Sequence, residues 1–405
     1  MQILQLGGLA NAFGNGIVFP FLFIYLHNVR GFGLGTVGLV LATNGAVSLV
    51  AGPLAGPLVD RIGGRRTLLI SLAFLTVGYG GYSVVTSVGA AFATSFLAGI
   101  GNGAFWPSQS TLIAGLTPRE QRTTAFAFQR VMMNLGFGLG GVTGGLIAST
   151  DSVWSFRALF LVDGATFVAY SLVVLGGVPE PTDAVERAEL TGSYRAVVRH
   201  RVFMGVIALN CLFITAGFAL LELLPVYMKN HAGVTERGVG LVFFVNTIVI
   251  VVAQMPIARL AEGRRRMPMF MALGVVWAIS HALTPVIGSL SSGVVATVLF
   301  AGAVGIFAIG ECIHGAVQAP LVTDLARPDL IGRYMALSAF SWQIGFTIGP
   351  AAGGFLLAAM PNGVWRLAGG LCLIAGVASL ALERSIPSEA QRSPTRGEAV
   401  SPAPG

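Results

Sequence analysis

Two acidic side chains stand where an apolar chain tolerates charge worst. Glu222 lies in ITAGFALLELLPVY and Glu311 in AIGECIHGAVQAP. An ionisable group inside such a run marks a functional site by default. Apolar surroundings disfavour the charged form of any carboxyl, whereas water or an arriving cation favours it. A carboxyl so placed can exchange a proton against a cationic or polar solute. The competing reading makes each Glu a static partner for a helix end or a neighbouring asparagine. On a helix, His314 and Gln318 share a face with Glu311. Asn102, Phe105, Trp106 and Gln109 form a second stripe at helical spacing, amide and aromatic together.

Other chemistries have no purchase here. Cys211, Cys312 and Cys372 sit within apolar runs, away from metal-ligand spacing, and read as small buried hydrophobes. There is no phosphate-binding GxxxxGK[ST] loop, so ATP is not expected as an energy source, and no metal or cofactor is expected. No Ser/His/Asp or HExxH arrangement suggests an enzyme. The formal net charge is +7, but it comes from short arginine-rich turns in a membrane chain. It is expected to meet anionic lipid rather than nucleic acid.

The elements that must hold these residues are long. Hydrophobic residues make up 54% of the 405-residue chain and charged residues 10%, where a soluble domain carries about 25%. Twelve spans are read at roughly 2–29, 35–59, 67–86, 89–116, 121–149, 154–177, 202–229, 236–259, 267–288, 293–325, 331–359 and 364–383. They predict an all-α membrane protein of two pseudo-symmetric six-helix lobes, residues 1–177 and 201–384. A cytoplasmic linker, 178–200, joins them, with a short amphipathic helix near 184–190, and a disordered cytoplasmic tail, 385–405, follows. Most Lys and Arg residues, Arg264, Arg265 and Arg266 among them, fall on the side of both termini. That side is therefore expected to be cytoplasmic, in an inner (plasma) membrane.

The symmetry is written in an internal echo. Val18–Leu58 lies over Leu220–Leu260 at an offset of about 202, with Tyr25 on Tyr227, Gly38 on Gly240 and Asn44 on Asn246. At an offset of about 209, Gly136 lies over Gly345 and Asn102 over Glu311, so one position is neutral in one half and acidic in the other. In duplicated membrane proteins solutes bind near mid-membrane, where the repeats meet.

Two motifs carry a resemblance. Gly56, Asp60, Arg61, Gly63, Arg65 and Arg66 in GPLVDRIGGRR resemble the cytoplasmic loop between helices 2 and 3 of the major facilitator superfamily. That resemblance implies a latch between the two halves, with Gly56 admitting a neighbouring helix, Gly63 and Gly64 turning the chain, and Arg65 and Arg66 reaching headgroups and Asp60. A second copy, ARLAEGRRR, keeps Glu262 and the arginines. Gly136, Gly140, Gly141, Gly144 and Gly145 resemble the GxxxGPxxGG string of the 12-helix drug:proton antiporter branch, with Gly141 where that branch has Pro. Gly345, Gly349, Pro350, Gly353 and Gly354 carry the whole string. Generic glycine packing is the alternative for both. Ser95 stands where the branch commonly has Arg, which puts its usual arginine-assisted relay in doubt.

The resemblance implies spans 1, 4, 7 and 10 around a central path, so that Glu222 and Glu311 share a cavity and couple protons. Substrate-binding candidates on the inner spans are then Phe13, Asn15 and Phe19, Asn44, the Asn102 stripe, and Met133 and Asn134. Asn246, His314 with Gln318, and Trp342 with Gln343 complete them. Arg130 either snorkels to the interface or holds a carboxylate or substrate in the cavity. Asp163, on a peripheral span, reads as a structural partner, and Arg157 and Arg366 as anchors at the far face. The implied function is monomeric, proton-coupled efflux of lipophilic or cationic small molecules by alternating access. A proton-coupled uptake symporter and a lipid or lysolipid flippase are the alternatives.

Overall fold

A computed structural model describes residues 2–118, 121–179, 194–327 and 330–393. Twelve long helices run through the described residues: α1 (Leu4–Val29), α2 (Leu34–Ile62), α3 (Gly64–Val84), α4 (Val88–Leu116), α5 (Arg122–Ile147) and α6 (Val153–Gly177), then α7 (Arg201–Ala232), α8 (Glu236–Ala261), α9 (Arg266–Leu290), α10 (Gly293–Leu325), α11 (Ile331–Ala359) and α12 (Gly363–Glu383). Ten are long and apolar enough to cross a membrane, and α5 and α11 match them in length. Apolar runs of this kind leave no choice but helix, because backbone polar groups must be paired inside the segment.

Packing repeats between the halves. In the first lobe α1 lies on α5 and α6, α3 on α4 and α6, and α2 on α4; the second lobe repeats this with α7, α11 and α12, α9, α10 and α12, and α8 and α10. Between lobes, α2 packs on α11 and α5 on α8, two seams related by the same symmetry. The amphipathic helix expected near 184–190 lies outside the described residues. A short helix, Tyr194–Arg199, precedes α7.

Three features differ from the sequence reading. First, α7 is not one regular helix. A π-helical turn, Ile214–Phe218, runs into a 3₁₀ turn, Ala219–Leu223, that carries Glu222. Pro225 lacks the N–H that would bond back one turn, so the ladder must re-form just before it.

Second, the arginines of the α2–α3 connection do not turn to Asp60. Gly63, at φ +88°, makes the sharp turn, and Gly64 already begins α3. Arg65 then donates to the carbonyl oxygens of Val174 (3.2 Å) and Leu175 (2.7 Å), at the negative end of the α6 dipole. Asp60, Arg61 and Arg66 are exposed, and a Cβ on Gly56 would meet nothing within 4 Å. The second lobe repeats the device. Gly263 has φ +69°, and Arg265 pairs with Glu383 at the end of α12, 2.8 Å away.

Third, the chain beyond 385 does not begin as a loose tail. Ser388–Gln391 is a helical turn, and Ser393 exchanges backbone bonds with the α8–α9 connection, accepting from the Gly263 N–H at 2.9 Å and donating to the Arg264 carbonyl at 3.0 Å. Arg266 is fully buried beneath this clasp, donating to the Ala390 carbonyl and to Asp324 at the end of α10. Arg266→Ala leaves two acceptors without their donor. Asp324 is 41% exposed and can rehydrate, which lowers the loss below that of a wholly buried pair. A destabilisation of about 2 kcal/mol is expected, read as an earlier thermal transition of the purified protein; an unchanged transition would show the clasp to be passive.

Candidate functional site

Seven of the residues singled out from sequence meet around one cavity of about 150 Å³. Asn15 comes from α1, Asn102, Phe105, Trp106 and Gln109 from α4, and Met133 and Asn134 from α5. The helical repeat of α4 brings its stripe to one wall, and Trp106, 44% exposed, presents its ring there against the edge of Phe105 at 5.4 Å. Asn102 donates to Asn44 Oδ1 and to the Tyr79 hydroxyl, both at 3.1 Å, which ties α4 to α2 and α3. Gln109 is buried. It donates to the Tyr170 hydroxyl at 2.8 Å and accepts from Gln129, so it braces the wall. Asn11, which the sequence reading passed over, also lines the cavity.

Glu222 and Glu311 are not brought to each other by any described contact. Glu222 is half-buried in the 3₁₀ turn and lies within electrostatic reach of Tyr79 in the opposite lobe. Glu311 accepts a bond from the Asn246 amide at 3.4 Å. Arg130 faces the space between the lobes rather than the interface. Its guanidinium would lie 3.2 Å from a Cβ on Gly315, one turn beyond Glu311, and its charge reaches that carboxyl. A carboxyl of one lobe thus bonds an amide of its own lobe, with a cation of the other lobe one helical turn away.

The remaining candidates divide. His314 and Gln318 are withdrawn from the open space, at 3% and 4% exposed, so the shared face with Glu311 splits. His314 Nε2 bonds Asn210 Oδ1 at 2.8 Å, and Asn210 donates to Ser341. The amide of Gln318 has no hydrogen-bond partner. Trp342 is half-buried against Phe218, ring centres 5.0 Å apart, and Gln343 is half-buried beside it. Phe13 packs into the core behind the cavity. Phe19 crosses the seam to the edge of Phe243 at 6.5 Å. Asp163 is completely buried with both carboxylate oxygens unpartnered, and a Cβ on Gly14 of α1 would collide with it. Arg157 lies over the Trp154 ring at 4.8 Å. No group of three His, Cys, Asp or Glu side chains able to hold a metal ion occurs among the described residues.

The glycine motifs have two faces. Gly136, Gly140 and Gly144 press on the α1 backbone within their lobe, as Gly345, Gly349 and Gly353 press on α7. Gly141, Gly145, Pro350 and Gly354 face the other lobe. A Cβ on Gly240 would lie 2.6 Å from the Gly141 carbonyl oxygen, and one on Gly38 would lie 3.1 Å from Gly354 Cα. Both seams therefore close at the face opposite the chain termini. Two polar ties reinforce that closure. Asn28 donates to Asn230 across the lobes at 2.7 Å. Glu236, at the start of α8, accepts from the Thr150 backbone N–H of the first lobe and from Lys229, each at 2.9 Å.

Comparison with known proteins agrees with this architecture. The profile of the Major Facilitator Superfamily matches residues 4–310 and 223–404. An uncharacterized MFS-type transporter, YqjV of Bacillus subtilis (strain 168), is 27% identical over 88% of this chain and 86% of its own. Multidrug resistance protein MdtH of Cronobacter sakazakii is 24% identical over 84% and 82%. A Na(+), Li(+), K(+)/H(+) antiporter of Planococcus maritimus is 24% identical over 82% and 84%. Among solved structures, the nucleoside transporter NupG superposes with a TM-score of 0.80 at 13% identity, covering 94% of this chain and 99% of that one. With its two six-helix lobes, paired seams and profile match along nearly its whole length, the chain belongs to the major facilitator superfamily and is an integral, multi-pass membrane transporter.

Proposed function

We propose that this transporter exports lipophilic or cationic small molecules in exchange for protons. The observation that carries the reading is Glu311. Its carboxyl accepts from Asn246 of its own lobe, and Arg130 of the other lobe reaches the Gly315 position one turn further along α10, so its charge state bears on how the lobes sit together. Loss of its proton strengthens attraction to Arg130, and gain of one weakens it. A population shift of this kind links protonation to rocking of the lobes. Glu222, across from Tyr79, is the second coupling group. The resemblance to a multidrug resistance protein and to a cation/proton antiporter, each at 24% identity, supports this reading. The arginine distribution favours cytoplasmic termini, and on that orientation the closed face is the outer one and the cavity is reached from inside the cell. Cells carrying such an exporter would resist compounds that it removes.

Reconstituted vesicles provide the test. Glu311→Gln and Glu222→Gln each keep shape and remove titration. Each is expected to abolish proton movement driven by addition of a lipophilic cation such as ethidium. Undiminished proton movement in both variants would refute the assignment. Uptake of ethidium into cells, abolished by an uncoupler, would refute the direction.

A further inference from the structure

We propose that the clasp over the α8–α9 connection binds the phosphate headgroup of an anionic phospholipid between Arg265 and Arg392. The site lies apart from the cargo path, and it stands or falls independently of the export reading.

The backbone sets two like charges against each other. Arg265 and Arg392 are paired across an isolated antiparallel bridge. Residues so paired send their side chains to one face, and like charges directly opposite are destabilising. The register is nevertheless fixed, by the bonds of Ser393 to Gly263 and Arg264.

The local acids do not balance this charge. Asp324 is taken by the buried Arg266, and Glu383 pairs with Arg265 at 2.8 Å. Arg264, Arg384 and Arg392 are exposed and make no ion pair among the described residues, and neither do the exposed Glu262 and Glu389. One carboxylate thus serves two opposed guanidinium groups, and positive charge is left over at the bridge. An anion placed there turns the repulsion into attraction.

Position says which anion. The bridge stands where α8 and α12 end and α9 begins, so it meets the bilayer surface. A phosphate diester presents oxygens that suit the forked donors of two arginines. Leu260, just before the connection, and Leu380, near the end of α12, are exposed for acyl chains to cover. On the orientation favoured by the arginines this is the cytoplasmic leaflet, where anionic lipid attracts basic segments. The first lobe gives the contrast. Arg65 is spent on the α6 carbonyls, Arg61 and Arg66 are exposed, and among the described residues no second segment is bridged to the α2–α3 connection.

The test is lipid retention by purified full-length protein, which needs no cargo. Protein in mild detergent is offered equal phosphatidylglycerol and phosphatidylcholine, and bound lipid is counted by native mass spectrometry. Wild type is expected to retain one phosphatidylglycerol in preference to phosphatidylcholine. Arg392→Gln is expected to weaken that retention roughly tenfold, the worth of one charge-assisted bond. Arg66→Gln, which removes one exposed charge from the same side of the other lobe, is expected to leave it unchanged. Phosphatidylglycerol should also raise the thermal transition of wild type and of Arg66→Gln, but not of Arg392→Gln. Undiminished retention by Arg392→Gln overturns the proposal. Equal losses in the two variants also overturn it, since they mean general attraction to a basic face. Displacement of the lipid by excess inorganic phosphate would replace the lipid with a free anion as occupant and overturn it too. Arg392 is exposed and outside every spanning helix, and the thermal transition of Arg392→Gln without added lipid checks that it folds.

Discussion

Joining Asn28 to Asn230 is expected to stop transport altogether. The two side chains already touch, Nδ2 to Oδ1 at 2.7 Å, and both are exposed at the face opposite the termini. They belong to different lobes and are related by the repeat itself, 202 positions apart. Alternating access requires that face to open once per cycle. Asn28→Cys with Asn230→Cys, bridged by a short bifunctional thiol reagent, would hold it shut. Efflux in vesicles should fall to that of empty vesicles and return when a cleavable bridge is reduced. Cys211 is half-buried and Cys312 and Cys372 are buried, so a hydrophilic reagent finds the new thiols first. Full transport by the bridged protein would mean that the lobes do not part there. Bridging of intact cells by a membrane-impermeant reagent would also place that face outside.

Neither asparagine was singled out from the sequence, although both lie inside the echo. The sequence displays repeats by residue type, and a pair that meets only through the symmetry axis looks like any other polar end of a span. Glu236 escaped for the same reason: a carboxylate at the start of a helix is ordinary, and its bond to Thr150 depends on how the lobes dock. Gly263 was missed on account of spacing. The second copy of the turn is two residues shorter between its acid and its glycine than the Asp60-to-Gly63 stretch, so a fixed offset passes over it. What could be read early was whatever periodicity dictates. The helical stripe on α4 came out facing one cavity, and the span ranges lie within a few residues of the helices. His314 and Gln318 share that periodicity with Glu311, yet burial separates them, because α10 is enclosed on more than one side.

The glycine motifs give the second large effect, and it depends on which way each glycine points. A Cβ on Gly240 or Gly38 would meet only the other lobe's backbone, nearest of all the Gly141 carbonyl oxygen at 2.6 Å in the first case and the Pro350 carbonyl oxygen in the second. A leucine there cannot be accommodated by a rotamer, since backbone and not a flexible side chain fills the space. Each lobe can still fold, because nothing inside it is displaced. The strain falls only on the state in which the seam is closed, so the population moves to states in which it is open. Gly240→Leu is therefore expected to yield folded, membrane-inserted protein that does not transport and whose Asn28→Cys and Asn230→Cys pair no longer bridges. Gly144 makes the contrast. Its closest neighbours are the Ile17 carbonyl, 2.7 Å from where a Cβ would stand, and the Phe21 ring, both within its own lobe. Gly144→Leu should strain the α1–α5 contact in every state and destabilise the protein by about 1–3 kcal/mol, seen as lower yield and an earlier thermal transition. Normal bridging in Gly240→Leu would show that the seam tolerates a side chain. In that case the closeness of the two glycine helices would not be what seals the transporter.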